Sequence, residues 1–139
     1  MANSNFFAYG TLQEPSVLEL IVGRSLVGVV ALLEDHARFG LRGKVYPAVV
    51  AQPGGRVHGL LYSGVTPGEL ARLDEYEGPL YERRELMVIC SGAPARAFTY
   101  ALGKRHHHLL SSEPWDFERF RREHLESYLE RITLTSRAP

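Results

Sequence analysis

The chain has 139 residues, 45% of them apolar and 23% charged, a globular balance that argues against disorder. Sixteen basic side chains offset sixteen acidic ones, so a nucleic-acid partner, which needs a basic excess to displace counterions from phosphates, is not expected. No apolar run approaches the roughly 20 residues that span a bilayer, the first residues MANSNFFAYG lack the pattern of a secretory leader, and a lone cysteine, Cys90, suits a reducing, cytoplasmic compartment.

The length fits one domain over residues 1–139, and no repeat or low-complexity tract interrupts it. Phe6 to Tyr9, aromatic and followed by Gly10, predicts a strand running into a tight turn. Pro15 to Val22 predicts a short helix, with Val17, Leu18 and Ile21 at helical spacing and Gly23 as its cap. The valine-rich run Leu26 to Leu33 reads as a strand buried on both faces. His36 to Arg42 alternates, with Ala37, Phe39 and Leu41 on one face. Tyr46 to Ala51 and Arg56 to Tyr62 flank Gln52-Pro53-Gly54-Gly55, a hairpin signal.

Thr66-Pro67-Gly68-Glu69 is the clearest helix start: cap, first-turn proline and a glutamate three residues after the cap form a capping box. Leu70 and Leu73 mark the inner face, and Gly78-Pro79 ends the helix. Arg83 to Cys90 alternates with Leu86, Val88 and Cys90 inward, Ser91-Gly92-Ala93-Pro94 turns the chain, and Arg96 to Leu102 forms another strand. After a polar loop, Phe117 to Ile132 reads as one amphipathic helix with Leu125, Tyr128, Leu129 and Ile132 on its stripe. The pairs Glu118/Arg122 and Arg119/Glu123 support its exposed face. About seven strands and three helices follow. The expected fold is α+β, a small curled mixed β-barrel with flanking helices, its core over about 5–102 and a C-terminal helix near 115–132.

Glu77 is the most informative candidate. At 100° per residue it falls between Leu70 and Leu73 viewed down the helix, so its carboxyl points inward if the last turn holds. Burial raises a carboxyl's pKa, which suits a proton carrier near neutral pH. The alternative is that Glu77 frays from the last turn or pairs with Arg83 or Arg84. The turn Tyr9-Gly10-Thr11-Leu12 supplies a glycine that permits close backbone approach and consecutive N–H groups able to face an anion. Adjacent imidazoles at His106, His107 and His108 point apart and have no partner at metal-ligand spacing, so they read as a polar loop with no metal expected. His36, His58 and His124 read as structural or surface residues, and Cys90 as a buried, inert thiol. Arg119, Arg121 and Arg122, matched by acids on their own helix, read as a solvated face.

The ordered set FAYGTLQ, VYPAVV, VHGLLYSGV, LARLDEYEGPLYERREL and FTYAL resembles the gamma-glutamylcyclotransferase-like family, most of all the gamma-glutamylamine cyclotransferase and its plant and bacterial relatives, over about residues 5–102. The resemblance implies a barrel-like fold with a cavity lined by the YGTL turn, and Glu77, in the YEG motif, as catalytic acid/base. It further implies that Tyr9, Gly10, Thr11 and Leu12 hold the glutamyl part of the substrate and that Tyr81 and Tyr100 line the pocket. The implied reaction releases 5-oxoproline and an amine from a γ-glutamyl amine or peptide, with no cofactor; neither nucleic acid nor membrane is expected as a partner, and the chain is expected as a monomer or homodimer. An alternative on the same fold is a module that binds a small carboxylated metabolite without turnover.

Overall fold

A computed structural model describes the backbone of residues 2–137 and the side chains of residues 2–133. Among these residues the strands are β1 (Ser4–Ala8), β2 (Gly28–Leu41), β3 (Pro47–Val65), β4 (Tyr81–Cys90), β5 (Ala93–Leu102) and β6 (Leu110–Pro114). The α-helices are α1 (Pro15–Val22), α2 (Pro67–Glu77), α3 (Phe117–Glu123) and α4 (Leu125–Arg137), with short 3-10 turns at Thr11–Gln13 and Lys104–Leu109.

The strands lie in the order β3-β1-β5-β4-β2-β6, and a further β3–β2 pairing closes five of them on themselves, with β6 attached outside on β2. The β1–β5 pair is parallel and the others antiparallel. This is the curled mixed α+β architecture expected from the sequence.

Strand β1 is buried on both sides because it alternates between two cores. Phe7 and Tyr9, just past its end, enter the barrel interior with Leu33, Val49 and Leu61. Phe6 and Ala8 face the layer under the helices with Val17, Leu73, Phe120 and Tyr128. Gly59 of β3 lies where the strands press closest: a Cβ there would stand 2.3 Å from the Ala8 carbonyl oxygen and 2.8 Å from the Phe7 ring. Only glycine fits this contact.

Several expectations need correction. The four strands expected over Leu26–Leu33, His36–Arg42, Tyr46–Ala51 and Arg56–Tyr62 are two long bent strands. Gln52 to Gly55 does not reverse the chain; it bulges out of β3 opposite Asp35, whose carboxylate accepts from the Gly54 N–H at 3.0 Å. Long-range pairing on both sides of the bulge overrides the local turn signal. The start of β2 is not buried on both faces, since Val29 is 48% and Val30 67% exposed. The stretch after β5 contains strand β6, paired to β2, and the histidine run forms a 3-10 turn rather than an irregular loop.

The C-terminal helix is two helices. His124, at φ −128° and ψ −17°, interrupts it, while Asp116 caps α3 by accepting from the Glu118 N–H. The stripe of Leu125, Tyr128, Leu129 and Ile132 does face the core. On the outer face Arg119 pairs with Glu123 at 3.1 Å, but Glu118 meets Arg121 rather than Arg122. Arg121 is not a purely solvated cation, because it also reaches Glu14 at the start of α1 at 3.0 Å. Cys90 is half-buried and not wholly enclosed.

Candidate active site

Helix α2 starts where its local sequence dictates. Thr66 accepts from the Glu69 N–H at 3.1 Å, Glu69 accepts from the Thr66 N–H at 3.0 Å, and Pro67 occupies the first turn. Leu73, fully buried, fixes the rotation of the helix about its axis. Glu77, one turn further on, therefore faces inward as its helical phase requires. It opens into a cavity of about 680 Å³, a size typical of small-molecule sites.

The Glu77 carboxyl makes no hydrogen bond or ion pair with any described residue. The two arginines that could have neutralised it are engaged elsewhere, Arg83 with Asp74 at 2.8 Å and Arg84 with Glu82 at 2.7 Å. Protein atoms enclose Glu77 while its surface meets the cavity, and this desolvation alone pushes its pKa up to about 8.

Tyr9, Gly10, Thr11, Leu12, Tyr81 and Tyr100 line the same cavity, so the structure brings together every residue that the sequence singled out for the site. The turn that carries four of them is held from behind. Arg38 donates to the Tyr9 carbonyl at 2.7 Å, and Tyr62 donates to the Leu12 carbonyl at 2.9 Å. Because the Tyr9–Gly10 peptide is trans and planar, a carbonyl directed at Arg38 turns the Gly10 N–H to the opposite side. The N–H groups of Gly10, Thr11 and Leu12 donate to no backbone carbonyl among the described residues, as expected at the start of a short helical turn. A Cβ at Gly10 would stand 3.0 Å from the Pro47 ring, so a larger residue there would push that ring aside by a few tenths of an ångström.

Phenols surround the carboxyl. Tyr9 donates to the Tyr100 carbonyl, Tyr81 to the Pro47 carbonyl at 2.7 Å, and Tyr100 to Asp74 at 2.7 Å. Burial, and beyond it the neighbouring Glu77, holds Tyr9 above its ordinary pKa; burial first also raises Tyr76, Tyr81, Tyr100 and Tyr128. All five remain protonated near neutral pH, and Glu77 is the group among them that exchanges a proton there.

Sequence reasoning missed the hydroxyl chain that joins the turn to the C-terminal helix. Thr11 Oγ1 lies 2.8 Å from the Tyr76 hydroxyl, which in turn bonds the Tyr128 hydroxyl. Tyr76 adjoins Glu77 in sequence, but nothing local marks Tyr128 as its partner. Arg38 was equally silent, since its target is a backbone atom. Glu75 and Glu82 are exposed, and Glu75 reaches the cavity edge. No cluster of three or more His, Cys, Asp or Glu side chains suited to a metal ion occurs among the described residues. No described helix is long and apolar enough to cross a membrane.

Comparison with known proteins agrees with this architecture. The chain is 35% identical over 127 residues to AIG2-like protein C of Arabidopsis thaliana, covering 90% of this chain and 73% of that protein. It is 34% identical over 131 residues to AIG2-like protein B of the same plant, covering 93% and 76%. The solution structure of an Arabidopsis thaliana protein superposes with a TM-score of 0.73 at 31% identity, covering 97% of this chain and 82% of that one. A gamma-glutamyl cyclotransferase shares the fold with a TM-score of 0.66 at 18% identity, covering 95% and 87%. The family model for gamma-glutamyl cyclotransferase, AIG2-like proteins matches residues 6–117, and the chain belongs to that family.

Proposed function

We propose that the chain is a cofactor-independent cyclotransferase that converts a γ-glutamyl amine or peptide into 5-oxoproline and the free amine, with Glu77 carrying the proton. The supporting observation is the unpaired Glu77 carboxyl, with a pKa of about 8, in one cavity with the Tyr9–Leu12 turn.

The substrate carries its own nucleophile. Its α-ammonium loses a proton to the Glu77 carboxylate, and the freed amine attacks the γ-carbonyl carbon to form the ring C–N bond. The tetrahedral oxyanion, whose ring nitrogen still carries two protons, then collapses: the exocyclic C–N bond breaks and Glu77 returns its proton to the departing nitrogen. The second ring-nitrogen proton follows by the same carboxylate, so the lactam keeps one N–H and the amine leaves as an ammonium. Attack within one molecule, with both ends held, avoids an entropic cost on the order of 7–11 kcal/mol.

The raised pKa fits the first step. The α-amino group of a γ-glutamyl compound sits beside a free α-carboxylate and titrates above the roughly 8 of a peptide terminus, so passing its proton to an ordinary carboxylate would be uphill by more than about 5 kcal/mol. Raising Glu77 to about 8 removes most of that cost. The N–H groups of Gly10 to Leu12 are the donors for the α-carboxylate or the developing oxyanion, and one such donor is worth about 3 kcal/mol. Tyr81 and Tyr100 line the pocket as neutral phenols.

The test is purified protein with a panel of γ-glutamyl amides, following 5-oxoproline and amine release together. Stoichiometric release that depends on Glu77 is the expected result. Equal rates for the native protein and Glu77→Gln would remove this mechanism.

A further inference from the structure

The cavity has two zones that differ in burial and composition. Its floor is closed, with Thr11 6%, Leu12 3% and Tyr100 3% exposed, and carries the polar groups of Thr11, Tyr100 and Glu77. Its more exposed lining lies on α1, α2 and α4: Leu20 and Ile21 on one side, Ile132 on the other, with the charged Arg72, Glu75 and Arg131 at the edge. Leu20 is 38% exposed, an apolar side chain left open at the mouth of a pocket.

The cations at this opening are already engaged. Arg72 donates to the Val22 carbonyl at 3.1 Å, and Arg131 lies 5.6 Å over the Tyr128 ring. Helix α4 lies beyond the residues 6–117 that the family model matches. The bond of Tyr128 to Tyr76, and of Tyr76 to Thr11, ties this wall to the turn on the floor.

We propose that the rim formed by Leu20, Ile21 and Ile132 reads the amine half of the substrate and favours amines that carry an apolar chain or ring. The inference rests on the cyclotransferase reading, since it places the glutamyl part on the floor. A glutamyl group fills only a fraction of 680 Å³, so the remainder of the substrate must reach this more exposed lining. There it meets aliphatic carbon from both sides. Each buried methylene is worth about fourfold in affinity, so three carbons that are partly buried should give roughly tenfold.

The experiment measures calorimetric Kd values on Glu77→Gln protein, which holds substrate without consuming it, for γ-glutamyl-methylamide, γ-glutamyl-isobutylamide and γ-glutamylglycine. Isobutylamide is expected to bind about tenfold tighter than methylamide and tighter than γ-glutamylglycine. In Glu77→Gln protein also carrying Leu20→Ser and Ile132→Ser, the isobutyl-to-methyl ratio should fall to within about twofold of unity. A melting curve establishes that this variant is folded. Equal binding of the two amides, a ratio that the rim substitutions leave intact, or tighter binding of γ-glutamylglycine overturns the proposal. Turnover by the native protein separates the two readings. Release of 5-oxoproline from every amide at equal kcat/KM removes the apolar rim alone. The expected Kd ratio without any turnover keeps the rim and removes the cyclotransferase.

Discussion

Glu69 and Glu77 stand at the two ends of one helix, and their surroundings drive them in opposite directions. Glu69, 4% exposed, closes the capping box and receives both Arg24 nitrogens, at 2.5 and 2.9 Å. Chiefly through the Arg24 hydrogen bonds, its pKa falls to about 2. Glu77 is enclosed by protein at the cavity wall but has no cation, so burial raises it to about 8. The same residue type thus contributes stability at one end of α2 and a proton acceptor at the other. Partnering, and not burial, separates the two roles.

The largest expected effect comes from Glu77→Gln. Turnover should fall on the order of 10²–10⁴-fold, measured as 5-oxoproline release. Stability should move the other way. Native Glu77 keeps its proton up to about 8, whereas the unfolded chain releases it near 4.5. The unfolded state is therefore favoured progressively as pH rises from 4.5 to 8. The Gln variant lacks this loss, so it should melt above the native protein at pH 8.5, with the gap narrowing toward pH 4.5. A lower melting temperature at pH 8.5 would mean that Glu77 has a stabilising partner.

Activity against pH should show a limb near 8 that rises with deprotonation of Glu77. A limb near the ordinary carboxylate value would contradict the desolvation argument.

Glu69→Ala should leave the proton chemistry alone and cost roughly 2–3 kcal/mol in urea unfolding, through the lost cap and ion pair. Its linkage has the opposite sign. The Glu69 contribution is fully present above 4.5 and disappears as pH falls toward 2. The native protein should therefore lose more stability than Glu69→Ala over that acid interval.

The smallest effect is expected at the hydroxyl chain. Tyr128→Phe removes one hydrogen bond to Tyr76, worth about 1 kcal/mol, so KM should rise roughly fivefold while the limb near 8 stays in place. Displacement of that limb would show that the chain acts on Glu77 and not on the turn.

What was legible in the sequence was local or periodic. The capping box spans Thr66 to Glu69, and Glu77 follows from helical phase, so both could be placed from a single segment. The YGTL turn was marked by its glycine and by resemblance, not by any contact. Where long-range pairing decides, the local signal misled. Pro53-Gly54-Gly55 has the composition of a hairpin, yet β2 pairs on both sides of it and makes it a bulge. Strand β6 carries Ser111, Ser112 and Pro114, weak strand formers that pair only because β2 offers an open edge. The break at His124 and the meeting of Tyr128 with Tyr76 depend on how the C-terminal segment packs, which no short window encodes.

The tight seam at Gly59 has a consequence for reading mutational screens. A methyl group there would wedge β3 away from the strand that delivers the Tyr9–Leu12 turn. Such a lesion, far from the reacting atoms, would mimic an active-site knockout in any assay that scores product alone. In a loss-of-function map this glycine should rank beside the glutamate, and a thermal melt would tell a broken hinge of the architecture from broken chemistry.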